Sequence, residues 1–228
     1  MTHNIDVNSE RFYFDVSIDR LKAFPDNSTD ELWRLGRECS WLVEAFENVA
    51  SALFDYERAE LNLDELERVL AIIGDEHFSA ARSGVYLDFD EMIFDRTGAC
   101  GSAPWRIKGL RETGFIFSLV MFGNEVNRMA DILHDDDFFG LRDEFSGRFP
   151  ELKEIRDFFA HKDERLRREV RRKPAEIGPM VIISRSGSIE VTNSKGEQSQ
   201  LEFDRSSIVF ARDITICAMK KCGYEFTA

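Results

Sequence analysis

The chain has 228 residues, 43% hydrophobic and 32% charged, with only 5 Pro and 14 Gly. That composition excludes collagen-like, low-complexity and wholly disordered classes, and the length lets a core form without disulfides or metals. Against 43 Asp and Glu stand 30 Lys and Arg, a net charge of −13, which argues against diffuse binding to nucleic acid or anionic membrane and requires a local basic patch for any polyanion.

The longest strongly apolar run, FIFSLVMF at 115–122, has 8 residues, whereas about 20 are needed to cross a bilayer. The N-terminal MTHNIDVNSERF lacks the basic flank and apolar run of a signal peptide, so a cytosolic protein with no membrane association is expected. Cys39, Cys100, Cys217 and Cys222 fit no common zinc or thioredoxin spacing and read as reduced, mostly buried thiols.

In chain order, Phe12, Phe14, Val16 and Ile18 alternate as in a half-buried strand, although the same stretch could open a short helix. Leu32, Leu35, Cys39, Leu42, Phe46, Val49, Leu53 and Tyr56 then step by threes and fours, which predicts a long amphipathic helix. Ser28 and Glu31 form its capping box. A second helix is predicted from about Leu63 to Ile73, ended by Gly74. Residues 75–100 carry little pattern.

A third helix opens at Ser102-Ala103-Pro104 and buries Phe115, Leu119, Phe122, Val126, Met129 and Leu133. Another follows Pro150, with Leu152, Ile155, Phe159, Leu166 and Val170 as its apolar stripe and a stop at 171–174. MVIIS, SIEVT and QLEF, separated by turn-forming residues, predict a three-stranded meander. Asp204 can cap a closing helix with Ile208, Val209, Ala211, Ile214, Cys217 and Ala218 inward. The expected class is mainly α: an N-terminal segment (1–27), an antiparallel helical bundle (28–173), then a β meander and closing helix packed on it (174–228).

The segment from Glu151 to Asp163 concentrates the chemistry. At about 100° per residue from Leu152, Arg156 lies near 40°, on the boundary of the apolar face, whereas Asp157 and His161 lie near 140° and 180°, away from it. Asp157 and His161 are also i,i+4 neighbours, so the carboxylate can fix the imidazole tautomer and raise its basicity. Arg156-Asp157-x3-His161 resembles the Arg-x4–6-His signature of the HEPN superfamily. The likeness covers the motif directly and the helices of 28–173 loosely.

That resemblance implies a metal-independent ribonuclease or toxin acting as a homodimer with two motifs facing each other, with an antitoxin or other protein as a further partner, or else a member that is inactive or pairs with a nucleotidyltransferase. It implies Arg156 and His161 as the catalytic pair and Asp157 as the polar accessory, a position where the family often has Asn. The chemistry suits the residue types. Cleaving RNA without a metal needs a group of near-neutral pKa for the 2′-OH proton and a cation for charge developing on the phosphate.

Just downstream, Lys162, Arg165, Arg167, Arg168, Arg171, Arg172 and Lys173 put seven cations in twelve residues against Asp163, Glu164 and Glu169. They form a phosphate track or simply complement a helix C-terminus. His134-Asp135-Asp136-Asp137 is a weak metal candidate, since neighbouring carboxylates diverge on a helix. Asn124, Glu125, Asn127 and Arg128 read as a solvated polar stripe, with a pocket or interface as the alternative, and Trp33, Trp41 and Trp105 read as core. No Walker, Rossmann, nucleophile-elbow or zincin motif is present, so no cofactor is expected. The alternative to an RNA-cleaving enzyme is a non-catalytic dimerisation or interaction module.

Overall fold

The computed structural model describes residues 30–98, 103–160, 181–185, 187–192, 196–202 and 204–224. The N-terminal alternating segment, Ser28 of the capping box, Cys100, and the stretch from His161 to Lys173 lie outside the described residues. The described part is mainly helical, with one small antiparallel sheet.

Helix α1 (Asp30–Arg82) runs unbroken for 53 residues, about 80 Å at 1.5 Å per residue. It therefore merges the two helices expected from the sequence and passes straight through Gly74. The reason lies in the intervening ERAELNLDELERVL, rich in strong helix formers. A lone glycine costs only about 1 kcal/mol relative to Ala and has no proline to assist it. Leu63, Leu66 and Ile73 are buried along this distal half. The far end of α1 also meets α2 (Phe89–Thr97), which Asp88 caps by accepting from the amides of Asp90 at 2.9 Å and Glu91 at 3.1 Å. Gly98 ends α2 at φ 65°. The region that carried little pattern is thus a short helix folded back on α1, held by the Arg96–Glu76 ion pair and the edge-on packing of His77 against Phe89.

Helix α3 (Ala103–Leu133) lies antiparallel to α1. Arg111 meets Asp55 at 3.1 Å, Lys108 meets Glu60 at 3.4 Å, and Arg128 pairs with Glu38, so partners rise along one helix as they fall along the other. Between them sit Cys39, Leu42, Phe46, Val49, Leu53 and Tyr56 of α1 and Phe115, Ile116, Leu119, Phe122, Val126 and Met129 of α3. Leu133 is only partly buried. His134, at φ 47°, turns the chain into α4 (Asp136–Arg148). Asp135 caps that helix by accepting from the Asp137 amide at 2.8 Å. The acidic run is thus a helix start, where carboxylates favour the macrodipole. Among the described residues no three His, Cys, Asp or Glu side chains converge as metal ligands.

Close approach of α3 and α4 depends on Gly123, where a Cβ would lie 2.5 Å from Cε1 of the buried Phe145. Gly123→Ala is therefore expected to lower stability by about 1–3 kcal/mol through overpacking, read as a lower urea midpoint. The usual helix-propensity gain of Gly→Ala would instead raise it.

Helix α5 (Leu152–Ala160) buries Leu152, Ile155 and Phe158. The expected third anchor, Phe159, is only partly buried. A step of three instead of four turns the buried face toward the sheet and Phe158 into the core. The sheet orders as β1 (Val181–Arg185), β2 (Ser188–Thr192) and β3 (Gln198–Glu202), antiparallel throughout, with Ile183 opposite Glu190 and Glu190 opposite Gln200. Ile189, Val191 and Leu201 point into the core. Ser199 Oγ donates to Glu154 at 2.8 Å and the Gln200 amide donates to Glu151, which fastens β3 to α5.

Helix α6 (Arg205–Lys221) belongs to the bundle as much as to the sheet. Ile208, Ala211, Ile214, Ala218 and Met219 join the same buried cluster as α1 and α3, while Val209 and Cys217 stay partly exposed. Arg205 bridges to Glu57 at 2.9 Å, Lys221 pairs with Asp137, and Tyr224 OH donates to the Gly36 carbonyl at 3.4 Å. Cys39 and Cys222 are free, buried thiols, whereas Cys217 is partly exposed. A hydrogen bond with Cys222, then burial, raises the Cys39 thiol well above its ordinary range.

Asp204 caps α6 by accepting from the Ser207 amide at 3.1 Å. Partial burial would raise its carboxyl, but hydrogen bonds from Ser206 and Ser207 outweigh it and hold the group below its ordinary value of 3.8. A depressed folded-state value stabilises above the unfolded value and is lost as pH falls through the folded one. Asp204→Ala should therefore cost about 1 kcal/mol at neutral pH. In urea titrations across pH, the gap to wild type should narrow once the pH drops below 3.8.

Candidate functional site

Pro150 ends the turn after α4, and α5 starts two residues later, so α5 leans across the seam between α3 and α4. Beside it opens a groove of about 390 Å³ lined by Asn124 and Asn127 of α3, Ser146 of α4, and Lys153 and Arg156 of α5, among others. Gly123, which leaves room for Phe145, also lines it. Two cations one helical turn apart thus face two carboxamides across a cleft between three helices.

Arg156 stands where the angular argument puts it, on the edge of the buried face, with its side chain 32% exposed. Its Nε donates to Asp157 Oδ1 at 2.9 Å, and a terminal guanidinium nitrogen donates to the same oxygen. Asp157 therefore holds Arg156 in orientation. The i,i+4 partner expected for Asp157, His161, lies outside the described residues, as do Lys162, Arg165, Arg167, Arg168, Arg171 and Arg172. The two described histidines, His77 and His134, do not line the groove.

The polar stripe of α3 divides. Asn124 and Asn127 line the groove and are not merely a solvated face. Arg128 instead turns to α1, where its Nε meets Glu125 at 2.7 Å, its other end meets the buried Glu38, and its guanidinium stacks over Trp41 at 4.4 Å. Burial would lower the Arg128 pKa, but bonds to Glu125 and Glu38 outweigh it and raise the value. This cluster clamps α3 to α1. Trp41 and Trp105, expected in the core, are 49% and 43% exposed. Trp41 follows the helical period of α1, but one position away from Leu42 and thus off the buried stripe.

Lys153 escaped the sequence reading. Its only signal is the i,i+3 spacing to Arg156, which aligns two cations on one helix face but is too common to stand alone. Chemically, the groove can seat a phosphodiester: Arg and Lys supply charge, Arg in a bidentate fork, while the carboxamides can bond sugar hydroxyls or base edges. No known family model, curated protein or solved structure matches the chain. The functional reading rests on these residues.

Proposed function

We propose that the chain is a HEPN-like, metal-independent endoribonuclease with Arg156 and His161 as its catalytic pair. The observation that carries this reading is the placement of Arg156 in a groove with Lys153, Asn124 and Asn127, at the end of the helix that leads into His161. An arginine in a solvent-open cleft with further phosphate-binding groups has a place to hold RNA.

In the proposed reaction, neutral His161 removes the proton of a ribose 2′-OH and the 2′-oxygen attacks phosphorus. The 5′-oxygen leaves with a proton from solvent or from a second copy's imidazolium. The products are a 2′,3′-cyclic phosphate and a free 5′-OH. Arg156, oriented by Asp157, offsets the charge that builds on the non-bridging oxygens. Lys153 and the basic residues from Lys162 to Arg172 would bind flanking phosphates. A toxin or defence role and an antitoxin partner would follow from the same family likeness. The direct test is incubation of the purified chain with RNA in EDTA, followed by end-group analysis: cyclic phosphate ends support the reading, and intact RNA refutes it. A non-catalytic interaction module is the second reading, favoured by the exposed apolar side chains of Leu110, Phe117 and Met121 on α3.

A further inference from the structure

The first turns of α1 and the last turn of α6 meet at a pair of thiols. Helix α6 closes in a Schellman turn: at Gly223, φ 89°, the chain reverses, the Gly223 amide donates to the Lys220 carbonyl at 3.0 Å, and the Tyr224 amide donates to the Met219 carbonyl at 3.1 Å. That turn fixes Cys222 as the C-cap and carries Tyr224 over α1, where its hydroxyl donates to the Gly36 carbonyl. Cys39 stands three residues on from Gly36, and its thiol is hydrogen-bonded to that of Cys222. Cys39 is 0% and Cys222 3% accessible, within one apolar cluster, and both are free thiols. Neither lines the Arg156 groove.

We propose that Cys39 and Cys222 are a reversible dithiol–disulfide couple, which clasps the start of α1 to the end of α6 when the protein meets a hydroperoxide. Cys217, partly exposed on the same helix, precedes Cys222 by five residues and so lies about 140° around α6, turned away from the pair. The clasp does not rest on the ribonuclease reading.

The two sulfurs have different roles. The hydrogen bond from Cys39 outweighs burial and holds the Cys222 thiol below its ordinary range, while the Cys39 thiol is raised. Cys222 is therefore the sulfur that attacks, and it sits at a helix end, where fraying admits a small oxidant. Its thiolate attacks one peroxide oxygen, the O–O bond breaks, and the leaving hydroxide takes the thiol proton as water. The product is a sulfenic acid on Cys222. The Cys39 sulfur then attacks the Cys222 sulfur, the S–S bond forms as the S–O bond breaks, and the departing hydroxide takes the Cys39 proton as a second water. Two thiols are oxidised and one peroxide is reduced. The loop so closed takes in most of the chain, which is where a crosslink most restricts the unfolded state.

The test is treatment of the folded full chain with hydrogen peroxide, alkylation of remaining thiols in urea, and peptide mapping without reductant. The expected result is a Cys39–Cys222 linked peptide, an intact mass lower by two hydrogens, and a thermal midpoint raised by about 10 °C, all reversed by dithiothreitol. Cys222→Ala should remove the link and the shift, whereas Cys217→Ala should change neither. Alanine at a buried position can weaken the fold by itself, so the deciding comparison is oxidised against reduced wild type. Cys39 and Cys222 both recovered alkylated after peroxide, or either one linked to a different cysteine, overturns the proposal. A link that forms only when the oxidation is done in urea, or that lowers the midpoint, overturns it too, since the fold would then not hold the two sulfurs ready to join.

Discussion

His161→Ala and Arg156→Ala are each expected to reduce EDTA-resistant RNA cleavage by about 10²-fold or more, because one removes the proton acceptor for the 2′-OH and the other the cation facing the phosphate. The Arg156 change should leave stability nearly intact. Its side chain is about one-third exposed and its bonds go to Asp157 at the surface, where such pairs contribute at most about 1 kcal/mol. Asp157→Asn should have a smaller effect, since the carboxamide oxygen can still accept from Arg156 and only the charge is lost. Lys153→Ala should act mainly on binding, raising KM with kcat little changed. Initial rates on a short RNA, measured with circular dichroism on each variant, check the set. Cleavage that survives His161→Ala unchanged, or that requires added Mg²⁺, removes the ribonuclease reading and leaves the interaction module.

Phe122→Ala is expected to destabilise the chain by about 3–5 kcal/mol, the range for deleting a buried aromatic ring from a core that cannot collapse around it. Phe122 has no accessible surface and packs at 5.7 Å from the Phe145 ring, so it ties α3 to α4 from the inside. Its environment is rigid on several sides: α1 crosses α3 in register, and α4 is already pressed against Gly123. The comparison is Phe117→Ala on the opposite face of the same helix. That change removes the same atoms from a site that is 38% exposed and should cost the monomer clearly less. Urea unfolding of both variants tests the contrast, and equal losses would mean that the two faces of α3 are not inside and outside as described.

The candidate site was partly visible in the chain. Arg156 and its boundary position followed from helical angles alone, and Asn124 and Asn127 were evident as a polar stripe. Their convergence was not. It depends on α4 arriving at Gly123 and on α5 crossing the seam, which are contacts between segments about thirty residues apart. The helix α4 itself was hidden, because its apolar residues Phe138, Leu141 and Phe145 are interspersed with Gly140, Gly147 and six charged residues.

Local physics written in the sequence determined the amphipathic stripes of α1 and α3, the proline-tolerant start of α3, the Asp204 cap of α6 and the alternation in β2. In each of these, neighbours within four residues set the energy. Only the tertiary structure decided that α1 continues through Gly74, that Phe158 rather than Phe159 enters the core, and that Trp41 carries Arg128 outside it. These outcomes turn on packing between elements far apart in sequence, and such packing terms exceed the propensity differences of about 1 kcal/mol or less that a local reading weighs.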